Sequence, residues 1–425
     1  MTLKYGQQHK RSILFKFLLF LAWVGVTYLS GTPWRVTAQD GSPPTTGTFT
    51  LNAEVWTGGP KRLGTFTEAT APQVVVDPRG VLHVVWENQG RLYHMWRNAN
   101  GEWSPPEAIF WGVTPSVALD TFGRLHLVFA QQVRDNFEIY YAMFDGQRWT
   151  LPRNISHTSG QSYSPYITIA PDGTLYVVWN DTTPGRNVIY SAQWQAPVWT
   201  NAPVLQAWGK APSLYVGPSL EAHLLWQGNS LLQALDIFHL LRRANGWDLP
   251  QNLSDTPGTD SLNVQGVLDY SGTLHVIWQE ESPRGYRVFY TMGKDLGWLW
   301  PEALSDAGVV DSGISTSERG TFVHVWWGDG VTWWTRWRAV ASLHWSAPIQ
   351  FLYAGSRVID VQFAPWNTQQ LHALWWEQTL SGVNLWYAQA RTPVRLRIYL
   401  AQMGVQSPWQ ASTTAPARSE YEKGR

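Results

Sequence analysis

Several loops of the sequence contain side chains that could bind a polar ligand. A guanidinium forms paired hydrogen bonds with a carboxylate or with adjacent hydroxyls, and an aromatic ring can stack on a sugar ring. These residue types predict a site for a polar, anionic or hydroxylated ligand such as a glycan. The candidate ligand-binding residues are Arg134, Asp181, Arg186, Glu280, Arg284, Tyr163, His157 and Trp376.

Catalytic chemistry is less clearly indicated. A carboxylate pair such as Asp181 and Glu280 could run glycoside hydrolysis, a mechanism that needs the two groups about 5–10 Å apart. The sequence contains no Ser/His/Asp nucleophile motif, no glycine-rich phosphate loop and no cluster of metal ligands. We therefore assign no catalytic residue, no cofactor and no metal from the sequence.

Six histidines also recur, one in each of six repeats. Residues on separate repeats lie too far apart to share a metal at about 2 Å. We predict that they are structural and bond to the aspartates of nearby turns, such as Asp77, Asp120 and Asp269. The six are His83, His126, His223, His275, His324 and His372.

The candidate residues are positioned by a pattern that recurs seven times. Its first copy reads PQVVVDPRGVLHVVW and ends at Trp86, and its last reads VQFAPWNTQQLHALW and ends at Trp375. The final aromatic residues of successive copies are 43 to 52 residues apart, and each copy has four strand-like segments. This period is typical of propeller blades. We predict an all-β fold, a seven-bladed β-propeller of four-stranded antiparallel blades, and we expect the recurring tryptophans to fill its core.

A second signature predicts how the ring closes. Six copies contain Trp, two or three residues and then Pro at the start of the fourth strand, as in Trp149 and Pro152. The seventh copy lacks this element, but an extra one, Trp56 to Pro60, precedes the first repeat. The N-terminal segment should therefore supply the outer strand of the last blade, which removes exposed sheet edges. Two β-sandwiches would need neither the seven-fold period nor the extra element, and a parallel β-helix would have shorter rungs.

The chain termini differ from the repeats. Residues 1–38 combine basic residues with an apolar run over 13–29, which predicts a signal peptide or, if uncleaved, a signal anchor. Residues 39–49 form a linker, 50–392 the propeller, and 393–425 a strand-like piece followed by a polar tail. The protein should thus be secreted or extracytoplasmic, with contact to a membrane only through an uncleaved N-terminus.

Composition narrows the partners. Without residues 1–38 the chain has 26 basic and 31 acidic residues, a net charge of −5, and the full chain has no cysteine. A mildly acidic chain with no basic run is a poor nucleic-acid ligand. No disulfide supports the exported fold, so a large core rich in tryptophan must stabilise it. We expect a monomer whose partner is a glycan or a cell-surface protein.

One turn resembles a known family. The segment Ile139–Pro152, IYYAMFDGQRWTLP, is similar to the third-to-fourth strand turn of the sialidase superfamily, where the Asp-box or BNR repeat reads S-x-D-x-G-x-x-W. Gly146 and Trp149 match its Gly and Trp, whereas Ala142 and Phe144 replace its Ser and Asp. The chain contains no Arg-Ile-Pro segment, and sialidases typically have six blades.

The resemblance implies a sialidase-like propeller rather than sialidase activity, because one fold hosts many functions. We expect a non-catalytic module that binds a glycan or a protein. A diverged sialidase-like glycoside hydrolase or lyase and a structural cell-surface interaction module are the alternatives.

Overall fold

The computed structural model is an all-β propeller in the part of the chain that it describes, with no helix there. It contains no helix among these residues that could span a membrane. The predicted export segment, most of the linker and the predicted tail after residue 392 lie outside the described residues. Those described are 49–51, 56, 59–68, 70, 72–183, 185–195, 198–204, 207–229, 234–244, 246–294, 297–317, 319–364 and 371–390.

Seven antiparallel sheets form the blades, each with its first strand innermost. Two strands precede them: β1 (Phe49–Leu51) and β2 (Lys61–Phe66). Blade 1 comprises β3 (Gln73–Val76), β4 (Leu82–Asn88), β5 (Arg91–Arg97) and β6 (Glu107–Trp111). Blade 2 comprises β7 (Val113–Leu119), β8 (Leu125–Val133), β9 (Asn136–Phe144) and β10 (Arg153–Asn154). Blade 3 comprises β11 (Ser162–Ile169), β12 (Leu175–Asp181), β13 (Val188–Gln195) and β14 (Val198–Val204).

The outer strands of the next two blades are split into two short pieces. Blade 4 comprises β15 (Lys210–Val216), β16 (Ala222–Asn229), β17 (Leu235–Arg243), β18 (Gly246–Trp247) and β19 (Gln251–Asn252). Blade 5 comprises β20 (Ser261–Leu268), β21 (Leu274–Glu280), β22 (Arg287–Lys294), β23 (Gly297–Trp298) and β24 (Glu302–Ala303). Blade 6 comprises β25 (Asp311–Thr316), β26 (Phe322–Gly328), β27 (Thr332–Ala339) and β28 (Ile349–Ala354). Blade 7 contributes β29 (Val358–Phe363), β30 (Leu371–Thr379) and β31 (Gly382–Ala390).

The N-terminal segment closes the ring, as predicted. Strand β2 pairs with β31 as the outer strand of blade 7, with Lys61 opposite Tyr387 and Phe66 opposite Val383. Strand β1 also pairs with β28 and adds a fifth strand to blade 6, which the repeat did not predict. The innermost strands of blades 7 and 1, β29 and β3, are in contact, so the sheets form a closed circle.

The core follows from the repeat. The six recurring tryptophans are at most 2% exposed, which confirms that they are core residues rather than a surface array. In six blades the recurring aromatic stacks on an aromatic residue of the third strand or lies opposite one, as Trp86 does with Tyr93 at 5.6 Å between ring centroids. Each such ring removes about 150–250 Å² from water, which accounts for much of the stability of a chain without disulfides.

The histidines are buried near the inner turns, but their partners differ from blade to blade. His126 Nε2 lies 3.4 Å from Asp120 Oδ2, and His275 Nε2 lies 3.2 Å from Asp269 Oδ2, as predicted. The prediction for Asp77 is wrong, because His83 Nδ1 instead lies 3.1 Å from His94 Nε2. Asp77 pairs with Arg79 at 2.7 Å.

Candidate functional site

The predicted loop residues lie on several blades and differ in their contacts. Arg134, His157 and Arg284 are exposed on separate loops. Arg186 lies over the ring of Trp208, with its Cζ 3.8 Å from the ring centroid. The Tyr163 hydroxyl donates to Asn187 Oδ1 at 2.5 Å within the same blade. No ion pair joins the three arginines to Asp181 or Glu280 among the residues that the structure describes.

The prediction that Trp376 binds a ligand is wrong. Its side chain is fully buried in the core between blades 7 and 1, and its Nε1 donates to the carbonyl oxygen of Thr70 at 3.1 Å. The ring therefore presents no face on which a sugar could stack. The sequence pattern could not separate it from an exposed loop residue, because it directly follows the recurring Trp375.

Asp181 and Glu280 hold neighbouring blades together. The Thr158 hydroxyl, in the loop that leaves blade 2, donates to Asp181 Oδ2 of blade 3 at 2.8 Å. The Thr256 hydroxyl of blade 4 donates to Glu280 Oε2 of blade 5 at 3.0 Å. Burial alone would raise the pKa of Asp181, but hydrogen bonds from Thr183, Thr158 and Ser162 lower it.

The same loops also bond within their own blade. Ser156 donates to Glu138, and Ser254 donates to Asp236 at 2.9 Å. We call this arrangement the interblade lock: a Ser and a Thr, two residues apart, that bond one carboxylate of their own blade and one of the next. It joins blade 2 to blade 3 and blade 4 to blade 5. Asp181 and Glu280, which the sequence suggests as ligand-binding residues, therefore already accept hydrogen bonds within the fold.

The interblade lock is absent where blade 5 meets blade 6, although the backbone there is the same. The Ser305 hydroxyl accepts the Val288 amide at 2.8 Å, as Ser156 and Ser254 do in their blades. The residue before Val288 is Arg287 instead of a carboxylate, and Ala307 stands where the lock has its threonine. The carboxylate of the next blade is replaced by Gly328. Gly328 pairs with the first residue of the innermost strand of its blade, as Asp181 and Glu280 do in theirs.

A cleft of about 380 Å³ occupies the place of the missing interblade lock. Its walls come from strand β22 and the loop after β24 in blade 5, and from β26 and β27 in blade 6. Arg287, Arg336 and Trp334 line it together with Asp306, Asp329 and Pro348. The cleft therefore involves a loop between the outer strand of one blade and the innermost strand of the next, the type of loop that contains His157 after blade 2, but it contains none of the residues predicted from the sequence.

Trp334 and Arg336 are themselves exceptions to the repeat. In the other six blades the position of Trp334 holds a fully or almost fully buried aliphatic residue, whereas Trp334 is partly exposed. Opposite the recurring tryptophan the other third strands place an aromatic residue, but blade 6 has Thr335. Strand β27 thus lacks the usual aromatic residue opposite the recurring tryptophan, and the partly exposed indole of Trp334 lines the cleft.

Arg336 is the most unusual group in the cleft. Its Nε is buried and has no hydrogen-bond partner among the described residues. Burial lowers the pKa of its guanidinium, and the charges of Glu302 and Asp306 oppose that shift. Arg287 Nε donates a long hydrogen bond to the carbonyl oxygen of Ser305 at 3.4 Å, and its Cζ lies 5.7 Å from the ring centroid of Phe289. A buried donor left unpaired costs about 1–3 kcal/mol, so a ligand that pairs it gains that energy.

A second group of interest lies on the innermost strands. Burial and the nearby Asp360 raise the pKa of Asp311 well above its usual range, and burial raises the pKa of Asp360 to about 7. Gln362 Nε2 donates to Asp360 Oδ1 at 2.8 Å. Pairs of carboxyls with shifted pKa values occur at catalytic sites, but also in structural positions. No group of three or more potential metal ligands occurs in the described part of the chain.

Comparison with known proteins supports the fold but does not identify the function. No protein-family model and no curated protein matches the sequence. A copper-containing fungal alcohol oxidase superposes with a TM-score of 0.54 and 12% identity, over 80% of this chain and 76% of the oxidase. A polysaccharide lyase superposes with a TM-score of 0.52 and 10% identity, over 76% of this chain and 90% of the lyase.

A sialidase is also among the similar structures. It is a Hadza microbial sialidase with 11% identity and a TM-score of 0.44, over 73% of this chain and 74% of the sialidase. At these identities the likeness concerns the propeller fold, and the Asp-box resemblance of residues 139–152 is not confirmed by it. The functions of these propellers differ, so the site must be argued from its own residues.

Proposed function

We propose that this protein is an extracytoplasmic, non-catalytic propeller that binds a glycan in the cleft between blades 5 and 6. One observation carries the proposal: the interblade lock is replaced there by a cleft with a partly exposed indole and two arginines. The cleft volume falls within the range of small-molecule sites, about 300–1,000 Å³. The polysaccharide lyase among the similar propellers adds support from a protein whose name refers to saccharides.

Trp334 would carry the stacking contact. A sugar ring presents C–H groups that pack on an indole face, while its hydroxyls need donors and acceptors at the rim. Arg287 and Asp306 supply such groups on the blade 5 side, and Arg336 and Asp329 on the blade 6 side. The apolar wall and the polar rim together match the usual build of a ligand pocket.

The test is a glycan array probed with the full chain. We expect binding to a subset of glycans, and we expect Trp334→Ala to abolish it. The matched control is Trp300→Ala, since Trp300 is 94% exposed and lies outside the cleft. Binding that survives Trp334→Ala would overturn the cleft as the site. If Arg134→Ala, Arg186→Ala or Arg284→Ala then removed it, the loop surface expected from the sequence would be the site instead.

A glycoside hydrolase or lyase is the second candidate, favoured by the neighbouring carboxyls of Asp311, which is partly exposed, and Asp360, which is buried. An enzyme of this kind would release reducing ends or unsaturated sugars from an array-positive glycan, and Asp360→Asn would stop the release. We expect no product from the parent protein, because Asp360 is only 9% exposed. Absence of any glycan binding would instead favour a structural interaction module.

Export is proposed from residues 1–38 and has its own test. Expressed in a bacterial host, the full chain should be found outside the cytoplasm. Sequencing of its N-terminus should begin at Gln39 if the segment is a cleaved signal peptide. An intact N-terminus in the membrane fraction would identify a signal anchor, and a cytoplasmic product would contradict export.

A further inference from the structure

We propose that the ligand of the cleft is acidic: a saccharide with a carboxylate on its ring, of the hexuronate type, whose carboxylate pairs with Arg336 and Arg287. The proposal rests on the proposed function and names its ligand class. It is carried by the buried Nε of Arg336, which has no partner within the described part of the chain, by the reversal of charge at Arg287, and by the position of the indole in the same cleft.

The unpaired Arg336 donor indicates the kind of group that is missing. A buried guanidinium N–H normally donates a hydrogen bond, because a buried donor without a partner costs free energy. Here the Nε is buried and finds no partner among the residues that the structure describes, although Glu302 and Asp306 are near enough to influence the guanidinium. Glu302 already accepts a hydrogen bond from Trp345 Nε1 at 2.9 Å. A planar oxyanion fits the fork of donors that a guanidinium presents.

The charge reversal at Arg287 indicates the sign of the ligand. At the corresponding positions of blades 2 and 4, Glu138 and Asp236 accept bonds from the loop hydroxyls. In blade 5 the same position holds a cation, and the carboxylate that would neutralise it across the interface is replaced by Gly328. The exchange removes two carboxylate acceptors from the positions of the interblade lock and adds one guanidinium donor.

The cleft also contains two carboxylates, Asp329 and Asp306, that would repel an acidic ligand. Asp329 is exposed, and its Oδ1 already accepts the amides of Val331 and Thr332 at 2.8 and 2.7 Å. Asp306 is exposed as well. Solvent screens both charges, whereas the Arg336 Nε is shielded from water, so the guanidinium acts more strongly on a ligand within the cleft.

Trp334 distinguishes a sugar acid from a bare anion. An inorganic anion would use only the guanidinium groups and leave the partly exposed indole without a contact. A pyranose that carries a carboxylate would use both, with its ring against Trp334 and Pro348 and its acidic group toward Arg336. Sulfated sugars share the oxyanion, so the experiment must separate the two.

The experiment measures affinity of the full chain for four groups of polymers. The first contains polygalacturonate, alginate, hyaluronate and glucuronoxylan, and the second contains methyl esters of the same polymers. The third is dextran sulfate, and the fourth is neutral dextran. We expect at least one of the uronates to bind, and its ester to bind at least tenfold more weakly, because esterification removes the charge and keeps the ring.

Variants then assign the contact. Arg336→Gln should weaken uronate binding at least tenfold and leave the weak ester binding unchanged, and Arg287→Gln should weaken it in the same direction. The matched control is Arg148→Gln, because the Arg148 side chain is 88% exposed outside the cleft. Circular dichroism of each variant shows that the fold is retained.

The outcomes separate this inference from the proposed function. Equal binding of esters and acids, or uronate binding that Arg336→Gln leaves intact, would overturn the acidic ligand but not glycan binding through Trp334. Arg336-dependent binding of dextran sulfate in preference to every uronate would assign a sulfate ester instead. If the uronates, their esters and dextran all fail to bind, the acidic-ligand inference is overturned, and an array on which no glycan binds would overturn the proposed function as well.

Discussion

Replacing Trp56 by Ala should destabilise the whole ring, although Trp56 lies before the first repeat. Its side chain is 4% exposed and packs against Phe351, Phe363 and Trp375, with ring centroids 6.0 to 6.4 Å apart. Its Nε1 donates to the carbonyl oxygen of Phe351 at 2.5 Å. The residue therefore joins the N-terminal segment to the cores of blades 6 and 7.

The magnitude follows from these contacts. Truncation of a buried tryptophan costs about 3–5 kcal/mol, and the unpaired carbonyl adds about 1 kcal/mol. With an unfolding entropy of about 0.7 kcal/mol/K for a domain of about 330 residues, a loss of about 5 kcal/mol lowers Tm by about 7 °C. Trp300→Ala, at an exposed site, should shift Tm by less than about 1 °C.

Differential scanning calorimetry of the two variants and the parent measures both values. The shift should appear in a single transition, since a closed ring distributes the loss over all blades. A Tm for Trp56→Ala within about 1 °C of the parent would refute the argument, because the N-terminal segment would then contribute little to ring closure. A separate early transition would show that blades 6 and 7 unfold independently.

A chain that begins at Thr70 lacks both Trp56 and β2, so it should melt well below the full chain; equal melting would contradict ring closure by the N-terminus. Burial holds the pKa of His83 to about 4 and that of His94 to about 3, below the unfolded value of about 6.5. Because the unfolded chain binds these protons first, the free energy of unfolding should fall as pH drops from about 6.5 to about 4, by about 3 kcal/mol for His83. Urea midpoints at pH 7.5, 5.5 and 4.5 test this contribution, and a parent midpoint that differs little from that of His83→Gln at every pH would count against it. Asp360 has the opposite sign, since its raised pKa makes its contribution decline as pH rises from about 4 through about 7. Asp360→Asn should therefore gain stability relative to the parent as the pH rises from 4 to 8, and an equal difference in the free energy of unfolding at both pH values would contradict this.

The sequence was sufficient for the architecture because every blade solves the same packing problem. The recurring tryptophan, the Asp and Gly of the inner turn and the Trp-Pro element each reflect a local requirement that repeats along the chain. The turn glycine at 123, for example, has φ of 76°, a conformation that favours glycine over other residues. Ring closure could also be inferred, since one element was missing at one end and present in excess at the other.

The sequence does not show which loop carboxylates are hydrogen-bonded, because their partners lie on another blade. Asp181 and Glu280 look like free loop carboxylates in the sequence, yet each accepts a hydroxyl from the preceding blade's loop, 23 and 24 residues earlier. The burial of Trp376 is hidden from the sequence for the same reason, since it depends on contact between blades 7 and 1. Exposure is set by packing between repeats, and no local pattern reports it.

The seven repeats, their strand order and the closure of the ring were thus determined by the sequence alone, because they depend on periodicity and short-range turns. The cleft was decided only by tertiary structure. Arg287, Ala307 and Gly328 lie on two blades and are separated by about 20 residues at each step, and each substitution is unremarkable by itself. Only when blades 5 and 6 pack do the three positions meet, and the loss of a hydroxyl and two carboxylates from those positions then leaves an open cleft beside Arg287 and Arg336.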